Sequence, residues 1–343
     1  MSSTQWALLA FRVETTTPDG KTDTLYANGR MQAPVVISIK ALDKSTQSVY
    51  NLSDSELDKI ELIDYDAPTT KLADGWSYSA KSNDLFADSA TTPMKSFNLL
   101  RSSLEVSVDT SATDTTIEDA PQKKRYMVST TRVEDKRIGA RIKLPDGTMV
   151  TTTTSPFNFY VTLVGKPPVV YTTDNITVNR DTVDKGVIET WTKIPWSQDN
   201  YYVSSKEYDF VKADIHDYDI TGTGPGHDGD SRLANIFNYW SGDGKLNLSF
   251  IWGIAPQSTR EVGRVVIDMY QAVMAVKIKV NQKSNALCLT RMAFDAGTNV
   301  SLGSNWSNKN CGFTVYDCYG NTGKFSASWS KDKDIIVIRD SSL

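Results

Sequence analysis

Apolar side chains in this sequence recur mostly at every second residue, the spacing that lines one face of a pleated strand. The runs PVVISIKAL (34–42), SLEVSVD (103–109), RYMVSTTRV (125–133), ARIKL (140–144) and MVTTTT (149–154) carry this alternation and are rich in β-branched residues, so they predict strands. ELIDY (61–65) and FNFYVTLVG (157–165) extend the series. Pro145, Asp146 and Gly147 separate two of these runs and predict a hairpin turn; Pro18, Asp19 and Gly20 predict the same for the first pair. Ser53 and Glu56 stand at capping-box spacing and predict a short helix over 53–60.

The pattern breaks at Lys166, Pro167 and Pro168, a stiff extended joint because each proline lacks an N–H donor and restricts its predecessor. A domain boundary is expected there, giving a first domain at 1–166 and a second at 167–343. The second part holds six of the eight tryptophans. Strands are predicted at 206–214, 246–253, 273–280, 286–294, 312–319, 324–329 and 334–340, with a helix at 231–240. The fold class follows: mainly β, two β-sandwich-like domains, the first of immunoglobulin-like size and the second aromatic-rich with one short helix. Residues 214–230 read as a long acidic, glycine-rich loop.

Composition narrows the partners. A net charge of -4 with mixed signs gives no basic stripe for nucleic acid. The most apolar stretch, 265–280, is interrupted by Asp268, Gln271, Lys277 and Lys279, so no integral membrane helix is expected. The first residues lack a basic leader, and Arg12 interrupts their apolar run; cytoplasmic synthesis, or export by a route that uses no such signal, is the expectation. Cys288, Cys311 and Cys318 have neither disulfide-framework nor zinc spacing and read as buried thiols.

Candidate chemistry centres on two places. Counted from Asp217, oxygen-bearing residues at the first, third, fifth and twelfth positions (Asp217, Asp219, Thr221, Asp228) and Gly222 at the sixth resemble a calcium loop. Thr221 in place of an acid, Asp228 in place of glutamate and Gly224 at the eighth position depart from that pattern. Calcium is therefore a possible ligand rather than an implied cofactor. The two histidines, His216 and His227, both fall in this loop, and no nucleophile elbow or H-E-x-x-H helix accompanies them. The second place is aromatic. Trp196 and Tyr201 among Gln198, Asp199 and Asn200, and Trp306 beside Asn305, pair flat rings with hydrogen-bonding groups and form a candidate glycan-binding set.

Two functions follow. The first is a non-enzymatic structural protein that self-associates through β-domain surfaces into a fibre, filament or particle. The second is a lectin-like or toxin-like protein that recognises glycans or a cell surface through its second domain.

Overall fold

Alternating burial runs through most elements, as stacked sheets require when each strand turns one face to a core. The computed structural model describes residues 5–87, 120–190, 192–222, 229–266, 272–298, 305–308 and 310–342, with the side chains of 265, 266, 272 and 305–308 outside that description. The chain is nearly all β. It divides into two compact units, Met1–Val169 with Tyr319–Asn321, and Val170–Cys318 with Thr322–Leu343. The strand expected at 103–109 falls outside the described residues.

The first unit contains β1 (Trp6–Thr15), β2 (Thr22–Tyr26), β3 (Ala33–Asp43), β4 (Val49–Tyr50), α1 (Asp54–Leu57), β5 (Glu61–Asp64), β6 (Trp76–Ser79), β7 (Gln122–Thr130), β8 (Asp135–Lys143), β9 (Met149–Thr151) and β10 (Val161–Lys166). One sheet runs β1-β3-β7-β6 with β4 on β3; the other runs β2-β10-β8-β5 with β9 on β8. Phe11, Val35, Ile37 and Ile39 of the first sheet are fully buried, as are Leu25, Ile138, Ala140 and Leu163 of the second. Residues 145–147 close the β8–β9 hairpin, with Gly147 at φ 86. In α1, Glu56 Oε2 accepts from the backbone N–H and the hydroxyl of Ser53, the glutamate half of the cap its spacing predicts, while Glu56 N–H donates to Ser53 O.

One expected hairpin is instead a corner. β1 pairs with β3, whereas β2 pairs in parallel with β10 in the opposite sheet. Asp19 Oδ1 accepts from the Thr17 hydroxyl and from the N–H groups of Lys21 and Thr22, which bends the chain sharply enough to leave one sheet for the other.

The second unit contains β11 (Val170–Tyr171), β12 (Ile176–Glu189), β13 (Lys193–Ser205), β14 (Phe210–Ile215), β15 (Ile236–Gly242), β16 (Lys245–Gly253), β17 (Ser258–Val266), β18 (Ala272–Val280), β19 (Leu287–Asp295), β20 (Asn305–Asn308), β21 (Cys311–Asp317), β22 (Thr322–Trp329) and β23 (Ile336–Asp340). A six-stranded sheet, β12-β13-β19-β16-β15-β20, forms its middle layer. The β17–β18 hairpin covers one face, burying Val262, Met274 and Ile278 against Leu246, Leu248, Phe250, Met292 and Phe294. The sheet β11-β22-β21-β14, with β23 on β22, packs on the other; Trp329 Nε1 donates to Ser249 Oγ of β16 at 2.5 Å.

The helix expected at 231–240 is a single 3-10 turn, Ser231–Leu233, followed by strand β15. Asp230 caps the turn by accepting from Arg232 N–H. Asn235 then takes φ 68 and donates its amide to Ile251 O, which turns the chain from helical to extended geometry.

Candidate functional site

A strand in a sheet covered on both faces still has an end that its covering layers do not reach. Cross-strand register shows what collects there, since directly opposed residues share a face. Across the middle sheet the register aligns Lys185, Ser197, Ala293, Asn247, Trp240 and Trp306 in one row. An adjoining row on the same face holds Asp199, Arg291, Ser249 and Asn238. Beyond the reach of Trp329 this face is open, and it forms a cleft of about 650 Å³.

The floor combines a ring with polar groups. Half-buried Trp240 lies along Gly242, two residues on, where an added Cβ would stand 3.2 Å from Cζ2 of the indole. Glycine at 242 therefore lets the ring lie down on its own strand. Asn247 is the cross-strand neighbour of Trp240, and its Oδ1 accepts from Arg291 Nη2 at 3.0 Å. Arg291 is also held by Lys333 O, which accepts from Nε at 3.3 Å, and by Asp199, whose Oδ2 lies 3.6 Å from Nη1. Asp199 in turn accepts from Arg180 and from the Thr182 hydroxyl, each at 2.8 Å. Burial lowers the pKa of Arg291, and the charge of Asp199 opposes that shift.

One wall is the turn between β22 and β23. Its backbone closes through Ser330 N–H to Ile335 O and Lys333 N–H to Ser330 O, and the Ser330 hydroxyl donates to Asp334. The turn carries Lys331, Asp332 and Lys333 to the cleft, with the Lys333 ammonium 4.8 Å from the Trp240 ring centroid. Lys185 and Lys245 contribute from the sheet, as does Asp295.

The residues singled out in the sequence are distributed differently. Trp196 borders the cleft, but alternation sends its ring to the hairpin-covered face, over Gly186 and against the core. Tyr201, five residues later on β13, points to the opposite face from Trp196 and is 3% exposed, with the Arg180 guanidinium 5.7 Å from its ring centroid. Asn305 and Trp306 occupy the edge strand at positions opposite Ser241 and Trp240. Trp240, Asn247 and Arg291 were not in the sequence's candidate set. Alternation in IFNYWSG, read as a strand, places Trp240 on the face opposite Tyr239 and was the signal available.

In the acidic loop, Asp217 takes φ 58, and Asp219 Oδ1 accepts from the N–H and hydroxyl of Thr221 and from the N–H of Gly222. Two of the expected calcium ligands are thus engaged with each other in a local turn. Asp228 and His227 lie outside the described residues. Among the described residues no group of three or more His, Cys, Asp or Glu side chains is placed to hold a metal ion.

The first unit has a cleft of similar size, about 640 Å³, lined by Leu8, Met149, Val150 and Phe157 among threonines and prolines. Its one charged residue, Arg141, is committed to Glu61 at 2.8 Å and to Thr69 O at 2.9 Å.

No family model and no curated protein matches the chain. Among solved structures it is similar to the C-terminal domain of an antigen I/II polypeptide of Streptococcus agalactiae, at 9% identity over 96% of this chain and 100% of that one, with a TM-score of 0.23. It is similar also to the sialic acid binding region of a Streptococcus sanguinis adhesin, at 10% identity over 91% and 75%, with a TM-score of 0.22. A C-terminal domain of an antigen I/II-family protein of Streptococcus pyogenes gives 8% identity over 98% and 100%, again with a TM-score of 0.22. Likeness at that level fixes neither topology nor site.

Proposed function

We propose that the chain is a non-enzymatic binding protein whose second unit recognises a glycan in the cleft floored by Trp240 and Asn247. The observation that carries this reading is the indole laid along Gly242 with an amide on the neighbouring strand. A pyranose has one face rich in C–H groups and a rim of hydroxyls. The first stacks on an aromatic surface, and the second needs fixed donors and acceptors close to it.

The cleft supplies both. Asn247 Oδ1 is held by Arg291, which orients the amide and leaves its N–H₂ group to donate to a hydroxyl. Ser197, Asp295 and Asp332 add acceptors around the ring. The Lys333 side chain, resting against the indole, would be displaced by a stacking sugar at a cost of about 0.5–1 kcal/mol. This cleft moves the glycan reading ahead of self-association through β surfaces, because strand edges and aromatic content serve either function whereas a ring, amide and carboxylate set serves recognition.

A glycan array probed with the full chain, wild type and Trp240→Ala, tests it. Signal from a defined subset of glycans, lost in the variant, is expected; retention of the same signal by the variant removes the cleft from the account.

A further inference from the structure

We infer that the cleft selects an acidic saccharide, one carrying a carboxylate or a sulfate, and that Lys185, Lys245, Lys331 and Lys333 provide the selectivity. This inference rests on the glycan reading and deepens it.

Charge is its first support. Four lysines, Lys185, Lys245, Lys331 and Lys333, line the cleft against two carboxylates, Asp295 and Asp332, while Arg291 is balanced by Asp199. The chain as a whole carries a net charge of -4, so this surface has the opposite sign to its carrier. A local surplus on an oppositely charged protein concentrates anions at one place rather than over the whole surface.

Availability is the second support. Ion pairing elsewhere on the chain is common, with Lys44, Lys71, Lys124, Lys136 and Lys283 each within 4 Å of a carboxylate. Among the described residues the four cleft lysines make no such pair. Two of them, Lys331 and Lys333, sit on a turn whose backbone is fixed by Arg291 and by its own hydrogen bonds, so the charges are held at the cleft's rim. Arg291, bonded to Lys333 O and Asn247 and paired with Asp199, serves to hold this rim rather than to add a free charge.

The mixture with a ring and an amide separates this surface from a plain phosphate-binding patch. An acidic sugar presents an apolar face, hydroxyls and one anion within a single residue, and the cleft offers a counterpart to each. A single-stranded nucleic acid would use the same ring and charges, but it needs a positive track extending over several nucleotides. The cleft is confined to one end of one sheet.

Calorimetric titration of the full chain with four probes tests the inference: sialyllactose for the carboxylate, 6-sulfated N-acetyllactosamine for the sulfate, neutral N-acetyllactosamine, and a thymidine decanucleotide. At least one acidic sugar should bind about tenfold more tightly than the neutral one at low salt, the yield of one or two partly screened charge contacts. That advantage should shrink on going from about 0.05 M to about 0.5 M salt. In the Lys245→Gln/Lys331→Gln variant, with folding checked by its melting curve, the ratio of acidic to neutral affinity should fall to near unity. Which acidic probe binds decides between carboxylate and sulfate. Equal affinity for neutral and acidic sugars overturns the inference and leaves the glycan reading standing. An acidic preference kept in the double variant overturns its placement on these lysines. The decanucleotide binding more tightly than any sugar overturns the ligand class, and absence of binding by all three sugars overturns the glycan reading itself.

Discussion

Asp199 and Arg291 face each other across β13 and β19, with Nη1 3.6 Å from Oδ2 and side chains only 12% and 5% exposed for the arginine and the aspartate respectively. The pair underlies the cleft, because the same guanidinium holds Asn247 and the carbonyl of Lys333. Removing one partner leaves an uncompensated charge where water is scarce, so Asp199→Ala should destabilise the fold by about 3 kcal/mol. Replacing both, as Asp199→Ala/Arg291→Met, should recover much of that loss. Urea denaturation of the two variants checks this; a double variant no more stable than the single one would mean that the arginine's other bonds dominate.

Gly242 is the second structural condition for the site. A side chain there would press on the indole of Trp240, so Gly242→Val should tilt the ring and weaken saccharide binding while costing the fold about 1 kcal/mol or less, since β-branched residues suit strands. Glycan-array signal and thermal melting of the same preparation separate the two effects. Loss of signal with a melting temperature lowered by no more than about 4 °C is the expected result.

Burial raises the pKa of Asp209 above its ordinary value of 3.8, although its Oδ2 accepts from Asn285 Nδ2 at 2.9 Å. A carboxyl that binds its proton more tightly when folded favours the native state at low pH. That contribution is full below the unfolded value and is lost as pH rises through the folded one. Asp209→Asn, whose amide oxygen can still accept from Asn285, should therefore raise the melting temperature relative to wild type at pH 7. The gain should disappear near pH 3, where the native carboxyl is neutral too. A gain independent of pH would contradict the burial argument.

All three cysteines are buried and free. Burial pushes the Cys288 thiol up to about 11 and those of Cys311 and Cys318 up to about 12, with Asp217 adding to the shift at Cys311 and Asp317 to that at Cys318. Few thiolates form at neutral pH, so a disulfide reagent should modify the native protein slowly and all three thiols rapidly in denaturant. Absorbance at the reagent's leaving-group band follows both.

Strands whose apolar residues alternate were legible in the sequence: β3, β16, β18 and β19 fall where the pattern places them, whereas β8 begins at Asp135, five residues before the run expected at 140–144. β15 was not legible. Leu233, Ile236, Phe237 and Trp240 stand at helical spacing, yet only Leu233 lies in the 3-10 turn. Ile236 and Phe237 are both buried because β15 is covered on both faces, which erases alternation and mimics a helix. Reading that segment as helical hid Trp240 from the candidate site. The β12–β13 hairpin was obscure for a different reason: β12 is an edge strand, and its charged, half-exposed side chains carry little of the apolar signal. Trp196 and Tyr201 illustrate a further limit. Neighbours in sequence at odd spacing on a strand, they lie on opposite faces, so a cluster of rings along the chain was not a cluster in space.

The most direct test of the account is the nitrogen-labelled NMR spectrum of the full chain during titration with a glycan chosen from the array. The account predicts that the indole N–H signal assigned to Trp240, by its absence in Trp240→Phe, shifts in a saturable way with the added sugar, while the signals of Trp6 and Trp76 in the first unit stay in place. Saturable shifts at the first unit's indoles, with the Trp240 signal unmoved, would contradict it.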